Sequence, residues 1–175
     1  MSSPSLLRRP FTTLACAATL LAAASGAFAD PGKGKSIELK IGVAISETLT
    51  PGDDPVGCPM IGNITGGGYA TELGAVTVQA TDCFKQTDAT TFAFITRPGT
   101  FVTLTTASGD ELYGTYSGTG VGNPLPVLAI NGNVTFNGGT GRFKRASGSG
   151  TLQGVENIGT TPAVGFLVIS GTSSL

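Results

Sequence analysis

Short apolar runs that alternate with polar or small residues follow one another along the chain from residue 37 onwards. The first run is the clearest, because every second position in it is occupied by Ile37, Leu39, Ile41, Val43 and Ile45. Alternation of this kind buries one face of a β-strand and exposes the other face to water. About eight such runs are present, and after the N-terminal region none has the 3.6-residue period of an amphipathic helix. The pattern predicts an all-β protein.

Glycine-rich turns separate these runs, and 27 of the 175 residues are glycine. Glycine in such positions is typical of tight turns and barrel corners. A sheet of about eight strands loses both edges when it closes, and its interior then has room for side chains or one small ligand. We therefore predict a single closed antiparallel β-barrel of about eight strands, with a β-sandwich as the alternative.

Three segments carry more specific expectations. Residues 50–59 contain three prolines and two aspartates, which predicts a long loop. The apolar residues of the run 69–83 are divided between both faces, so the sequence does not decide which face points inward. The run 163–172 is apolar on both faces, which indicates a central or barrel-closing strand.

The first 29 residues have the pattern of a Sec-type signal peptide. Arg8 and Arg9 precede an uncharged apolar run, and Ala27 and Ala29 occupy the −3 and −1 positions of a cleavage site. The apolar run is shorter than the about 20 residues that a membrane span requires. A twin-arginine signal and lipidation at Cys16 are alternatives, but the flanking residues match both poorly.

Cleavage there leaves one domain, residues 30–175, which we expect to be periplasmic or secreted. The alanine-rich signal is typical of bacteria. The mature chain has eight Lys and Arg against eleven Asp and Glu, a formal charge of −3. These charges are scattered, so we expect neither a nucleic-acid surface nor binding to an anionic membrane.

Cys58 and Cys83 are the two cysteines of the mature chain. An even pair in an exported protein most simply forms a disulfide, here around a loop of about two dozen residues. A redox or metal-binding pair is the alternative, without support from a Cys-x-x-Cys motif.

The chain contains no histidine, which excludes a Ser-His-Asp triad and histidine metal ligands. Its glycine-rich turns do not precede helices, so phosphate binding has little support. We expect no cofactor and no metal. The adjacent Asp53 and Asp54 are only a weak calcium signal, because EF-hand spacing is missing.

Three glycine-rich segments are similar to elements of one barrel superfamily. Residues 137–148, with Gly-Gly-Thr-Gly-Arg-Phe and a later Ala-Ser-Gly, resemble a late-barrel motif. Residues 68–74 resemble a Gly-x-x-Thr-His-Leu-Gly element, with Glu72 where relatives often have histidine. Residues 107–116 resemble an Asn-Gly-Asp-x-Leu hairpin. In order and spacing, the chain resembles secreted bacterial members of the allene oxide cyclase-like and dirigent-like barrels.

The resemblance implies a barrel that works as a shaped apolar vessel. Allene oxide cyclases close a ring in a fatty-acid epoxide, and dirigent proteins steer phenoxy radicals, in both cases without a cofactor. Such relatives form trimers. We expect a non-catalytic exported barrel that binds a small apolar or amphipathic molecule or a surface partner. The alternatives are a cofactor-free cyclase or dirigent-like enzyme and a structural envelope or extracellular module.

Four residues are candidates for a site. Glu72, if it points inward, is a candidate acid or base, and Asp110 is a further catalytic candidate. Arg142 is a candidate for binding an anion or orienting Glu72 or Asp110. Tyr69 is a candidate for lining the barrel mouth. The simpler interpretations are an exposed strand residue for Glu72 and turn residues for Arg142 and Asp110. Gly141 is expected to need a backbone angle closed to β-branched residues.

Two structural features separate the hypotheses. Paired polar groups inside a cavity, such as Glu72 facing Arg142, favour an enzyme. A barrel without a cavity favours a structural module. The side chains expected to fill such a barrel are Phe92, Phe94, Phe101, Phe136 and Phe166.

Overall fold

The chain forms a closed antiparallel β-barrel in a computed structural model that describes residues 36–54, 56–122 and 124–174. Its strands are β1 (Ser36–Asp54), β2 (Cys58–Ala70), β3 (Gly74–Gln86), β4 (Thr91–Thr96), β5 (Val102–Thr106), β6 (Glu111–Gly122), β7 (Val127–Gly139), β8 (Ser147–Asn157) and β9 (Ala163–Ser174). A short 3-10 turn, Gly141–Phe143, lies between β7 and β8. The predicted signal peptide, residues 1–29, lies outside the described residues.

Eight strands form the ring in the order β1-β2-β3-β4-β6-β7-β8-β9, and β9 pairs with β1 to close it. The ninth strand, β5, pairs with β3 and β6 beyond the end of β4. The predicted barrel is therefore confirmed, and the apolar run 163–172 is its closing strand. Within the described ranges, no helix has the length and apolar character that crossing a membrane requires.

The alternation of the first run sets the inward face of β1, where Leu39 and Ile41 are fully buried. The structure also decides the face that the sequence left open. In β3, Val76, Val78 and Ala80 point into the barrel and are buried. In this part of β3 the inward residues are thus small or β-branched, and the inward stripe continues through Asp82 to Phe84.

The predicted long loop at residues 50–59 is wrong. Strand β1 continues to Asp54 and pairs with β2 through Thr50↔Ile61 and Pro51↔Met60, before the register shifts. Proline is tolerated in a strand where its missing N–H is not needed or where a bulge interrupts the ladder. The Val56 N–H donates to Asp54 Oδ1 at 2.9 Å, which helps to close the short connection.

The predicted disulfide joins Cys58 to Cys83, with a Cα–Cα distance of 4.9 Å. It connects the beginning of β2 to β3. Since the bond lies between neighbouring strands, it reinforces a pairing that the sheet already makes.

The interior is divided into two halves. We call the half near the β2–β3, β5–β6 and β7–β8 connections the packed half. Its largest side chains are fully buried, among them Leu112, Phe136 and Phe143. A Cβ at Gly139 would lie 2.7 Å from the Cβ of Phe143, so glycine there lets the 3-10 turn approach the strands. Gly141, with φ of +50°, has the backbone angle expected of it.

The set of aromatic residues expected inside the barrel is correct only in part. Phe92, Phe94 and Phe136 are buried, whereas Phe101 and Phe166 are each 50% exposed. Phe166 lies on the outward face of β9, and Phe101 lies in the interruption between β4 and β5. The barrel interior is therefore less completely filled than five aromatic side chains would make it.

Candidate functional site: three carboxyl groups inside the barrel

Three carboxyl groups lie inside the other half of the barrel, which we call the acid half. Glu47 on β1, Asp82 on β3 and Glu156 on β8 are 2%, 3% and 5% exposed. We refer to these three residues as the acid cluster. Ionisable side chains are almost never buried to this degree unless they are paired or bind something.

Each member of the acid cluster continues the inward stripe of its own strand. Glu47 is two residues beyond Ile45 in β1, and Asp82 is two residues beyond Ala80 in β3. Glu156 stands four residues after the buried Leu152 in β8. Because strand side chains alternate with a period of two, these positions must point inward as their apolar predecessors do.

Small residues on the intervening strands let the carboxyl groups approach one another. Gly62 of β2 pairs with Asp82, and a Cβ at Gly62 would collide with both the Glu47 and the Asp82 carboxyl groups. Between Glu47 and Glu156, strand β9 presents Ala163 and Gly165, which pair with them respectively. Residues with little or no side chain on the intervening strands therefore leave room for the three carboxyl groups to meet inside the ring.

Tyr116 of β6 completes the site from the opposite side. Its hydroxyl donates to Asp82 Oδ2 at 3.1 Å. The Thr96 hydroxyl accepts from the Tyr116 N–H at 2.7 Å and donates to the Tyr116 carbonyl at 3.2 Å. These bonds continue the β4–β6 pairing at the point where β4 ends, so they hold Tyr116 in position.

A cavity of about 60 Å³ adjoins the cluster. A buried water needs roughly 10–15 Å³ of such volume, so the cavity has room for about four water-sized groups. Its wall is mostly apolar, and apart from the cluster and Tyr116 it consists of Val43, Ile45, Ile64, Val78, Ala80, Phe84, Phe94, Val102, Leu104, Ile130, Val134, Leu152, Leu167 and Ile169.

Burial controls the protonation of this site. Burial, followed by interactions with Glu156 and Asp82, raises the pKa of Glu47 to about 11. Burial raises the pKa of Asp82 to about 7, although the hydrogen bond from Tyr116 acts in the opposite direction. Burial and the nearby Asp82 raise the pKa of Tyr116 well above its usual value. At neutral pH, Glu47 and Tyr116 are therefore neutral, and Asp82 is close to half ionised.

The cluster retains unused hydrogen-bonding capacity. Among the described residues, Glu47 Oε1, Asp82 Oδ1 and Glu156 Oε1 are buried and accept no hydrogen bond from an N–H or hydroxyl group. The proton of neutral Glu47 is shared with the neighbouring Glu156 and Asp82 carboxyl groups. No residue in the described wall of the cavity is basic. Buried polar atoms without partners are rare and costly, so each of them indicates a missing partner or a functional role.

The four candidates from the sequence lie elsewhere. Glu72 is exposed in the β2–β3 turn with φ of +64°, and Tyr69 is 66% exposed. Arg142 is exposed, with its Nε 3.7 Å from Asp110 Oδ2 and its guanidinium 4.9 Å from the Phe143 ring centre. Asp110 also accepts from the Ser108 hydroxyl at 3.2 Å, as a turn residue does. The structure does not bring Glu72 or Arg142 into the cavity.

The sequence contains a signal for the acid cluster, although none of its three members was among the predicted site residues. The apolar residues of the inward stripe of β1 end at Ile45, and one further step of two residues reaches Glu47. The same step leads from Ala80 to Asp82. An acidic residue that continues an apolar stripe is the pattern to look for in such strands.

The residues described offer no group of three or more His, Cys, Asp or Glu arranged to hold a metal ion. Comparison with known proteins gives no match, whether with family models, with curated proteins or with solved structures.

Proposed function

We propose that this chain is an exported barrel that binds one small amphipathic molecule in its interior. The observation that carries the proposal is the apolar cavity with the acid cluster in its wall. Binding sites for small molecules are mostly apolar, with a few polar groups that fix orientation. In this barrel, the apolar wall would contact the hydrocarbon part of the ligand, and the carboxyl groups would bind its polar end.

The size of the cavity limits what it can hold. About 60 Å³ accommodates about four non-hydrogen atoms, so a longer molecule would have to extend past the cluster towards the barrel end. The best small ligands gain about 1.5 kcal/mol per atom. Four atoms therefore correspond to a dissociation constant no lower than roughly tens of micromolar.

Export is supported by the Cys58–Cys83 bond, since disulfides persist in oxidising compartments. The signal-like pattern of residues 1–29 supports the same location, periplasmic or secreted. Membership of the allene oxide cyclase-like and dirigent-like barrels is part of this proposal. It is supported by the eight-stranded ring and by the three segments of the sequence that resemble motifs of those barrels.

A purely structural role has less support. Three buried carboxyl groups beside a cavity reduce stability, and a filled apolar interior would serve a structural module better. Natural proteins accept such local costs mainly at functional sites. The acid half of the barrel therefore favours ligand binding.

The test is a methyl-detected NMR titration of the mature protein with 1-propanol and with n-propylamine, each of four non-hydrogen atoms. We expect at least one of them to shift the methyl signals of Ile45 and Val78, which line the cavity. Leu39 and Leu112 in the packed half serve as internal controls and should not move. If neither compound shifts the cavity methyl groups at millimolar concentration, the proposal is wrong.

A cofactor-free acid–base enzyme is the second candidate, and the Asp82–Tyr116 pair favours it. A carboxyl group with a pKa near 7 is suited to transfer protons at neutral pH. The Tyr116 hydroxyl, which donates to Asp82, would turn its hydrogen bond to an enolate once Asp82 has taken up the proton. Acetone, which also has four non-hydrogen atoms, is a suitable probe. We expect an enzyme of this kind to accelerate exchange of its methyl protons in D2O, and Asp82→Asn to abolish the acceleration.

A further inference from the structure

We propose that the polar end of the ligand is a protonated primary amine, held by the three carboxyl groups of the acid cluster. This inference rests on the proposed function, because it assigns a chemical class to the ligand of that cavity. The geometry that carries it is the convergence of three buried carboxyl oxygens, none of which accepts from an N–H or hydroxyl group, on one small, mostly apolar space without a basic side chain.

The number of N–H donors on a primary ammonium group matches the number of carboxyl oxygens that could accept from it. Glu47 Oε1, Asp82 Oδ1 and Glu156 Oε1 accept no hydrogen bond from an N–H or hydroxyl group of the described residues. The one carboxyl proton that Glu47 keeps is shared within the cluster. A primary ammonium group has three N–H donors and no acceptor. A hydroxyl group has a single donor, so it would leave more of these buried oxygens without a partner than an ammonium group does. A carboxylate ligand would bring further acceptors into a site whose own donors, neutral Glu47 and Tyr116, already bond to other members of the site.

The charge of the site points to the same class. An ionised Asp82 lies in surroundings of low dielectric, where an uncompensated charge is very unfavourable. The described part of the cavity wall offers no Lys or Arg to balance it. A bound ammonium group would supply both the missing positive charge and the missing donors, and charge-assisted hydrogen bonds are the strongest available.

Amine binding is then coupled to proton release. The ionisable groups that face the site are Glu47 from β1, Asp82 from β3, Tyr116 from β6 and Glu156 from β8. Strands β4, β5, β7 and β9 contain no Asp, Glu, Lys or Arg, and neither does β2. Because burial raises the pKa of Asp82 to about 7, its carboxyl group must lose a proton to bind the amine as an ion pair. Affinity for the amine should rise as the pH rises from 5.5 to 7.5, by about tenfold or more.

The experiment is a set of NMR titrations at pH 7.5 with n-propylamine, 1-propanol and sodium propionate, repeated for the amine and the alcohol at pH 5.5. We expect the amine to bind at least tenfold more tightly than the alcohol, with no binding of propionate. The affinity for the amine should be lower at pH 5.5, whereas the affinity for the alcohol should not change with pH. Ammonium chloride and calcium chloride are added in separate titrations, to separate an organic amine from a bare cation.

Two variants test whether the amine binds at the acid cluster. Asp82→Asn should reduce the affinity for n-propylamine at least tenfold and remove its pH dependence, while 1-propanol still binds. Gly62→Ala places a methyl group against the Glu47 and Asp82 carboxyl groups and should reduce the affinity for n-propylamine by a similar factor. Glu111→Gln is the control: its carboxylate accepts from the Tyr113 hydroxyl at the opposite end of the barrel, and amine binding should be unaffected.

The outcomes separate the two proposals. Equal affinities for the amine and the alcohol would overturn the amine inference and leave the ligand-binding function standing. Calcium binding that displaces the amine, at lower concentration than the amine needs, would overturn it in favour of a metal ion. If none of the probes binds, both proposals fail, and the cluster is a network of carboxyl groups that share protons among themselves.

Discussion

The two halves of the barrel interior differ in the side chains that occupy their inward positions. In the packed half, large apolar side chains such as Leu112, Phe136 and Phe143 are fully buried. In the acid half, the same alternating strands present carboxyl groups and leave a cavity of about 60 Å³. The fold is the same in both halves, so the difference lies in which residues occupy the inward positions. The packed half supplies the stability that the acid half reduces.

The largest expected effect comes from emptying the packed half. Phe136→Ala should lower the free energy of unfolding by about 3–5 kcal/mol, because it removes a fully buried ring and leaves a void. Urea denaturation measures this loss. Phe166→Ala is the matched control on the outer surface, with an expected loss below about 1 kcal/mol. Similar losses in both variants would contradict the assignment of a packed half.

Removal of the disulfide beside the acid half should lower the free energy of unfolding almost as much. Cys83 directly follows Asp82, so the bond anchors the strand that carries a member of the cluster. Cys58→Ser and Cys83→Ser should each lower the free energy of unfolding by about 3 kcal/mol. The double variant should be no less stable than either single one, because both changes remove one bond. Additive losses in thermal denaturation would argue against a shared bond.

The acid half should also make stability depend on pH. The pKa of Asp82 rises from an ordinary value of 3.8 to about 7 on folding, so this group favours the folded state fully only below about pH 4. As the pH rises through 7, that contribution is lost. Glu47 acts in the same direction. Between pH 5 and pH 8, we expect Asp82 alone to lower the free energy of unfolding by on the order of 2 kcal/mol, and Glu47 adds to this fall.

Asp82→Asn is the variant that tests this pH dependence. It should make the fall in stability between pH 5 and pH 8 less steep, although the contribution of Glu47 remains, and raise the melting temperature at pH 8. Exposed Asp54 and Asp88, whose pKa values are lowered by backbone hydrogen bonds, act in the opposite direction and only at acidic pH. A wild-type protein that becomes more stable from pH 5 to pH 8 would contradict the burial of the cluster.

The smallest expected effect compares two glycines of β2. A Cβ at Gly62 would meet the Glu47 and Asp82 carboxyl groups, whereas a Cβ at Gly67 would find its nearest neighbour, the Val76 carbonyl oxygen, at 3.6 Å. Gly62→Ala should therefore be about 1 kcal/mol less stable than Gly67→Ala, which should equal the wild type or exceed it slightly. Equal stabilities at pH 7 would show that the carboxyl groups do not approach Gly62.

Much of the fold was predictable because strand patterning is local. The alternation around Ile41 predicted β1 and its inward face, and the apolar run at 163–172 predicted the closing strand. The segment at 50–59 was not predictable from its prolines, because the pairing of Thr50 with Ile61 continues the ladder around them. Glu72 was a plausible candidate on motif grounds, but the tight β2–β3 turn exposes it.

The sequence by itself determined the all-β class, the turns and the disulfide pair, since each depends on residue type and on spacing along the chain. It also contained the inward direction of Glu47 and Asp82, since side chains in a strand alternate with a period of two. Only the tertiary structure decided that these residues meet Glu156 and Tyr116. Their meeting depends on the closure of β9 against β1 and on the register of each pair, which place residues more than 100 positions apart around one cavity.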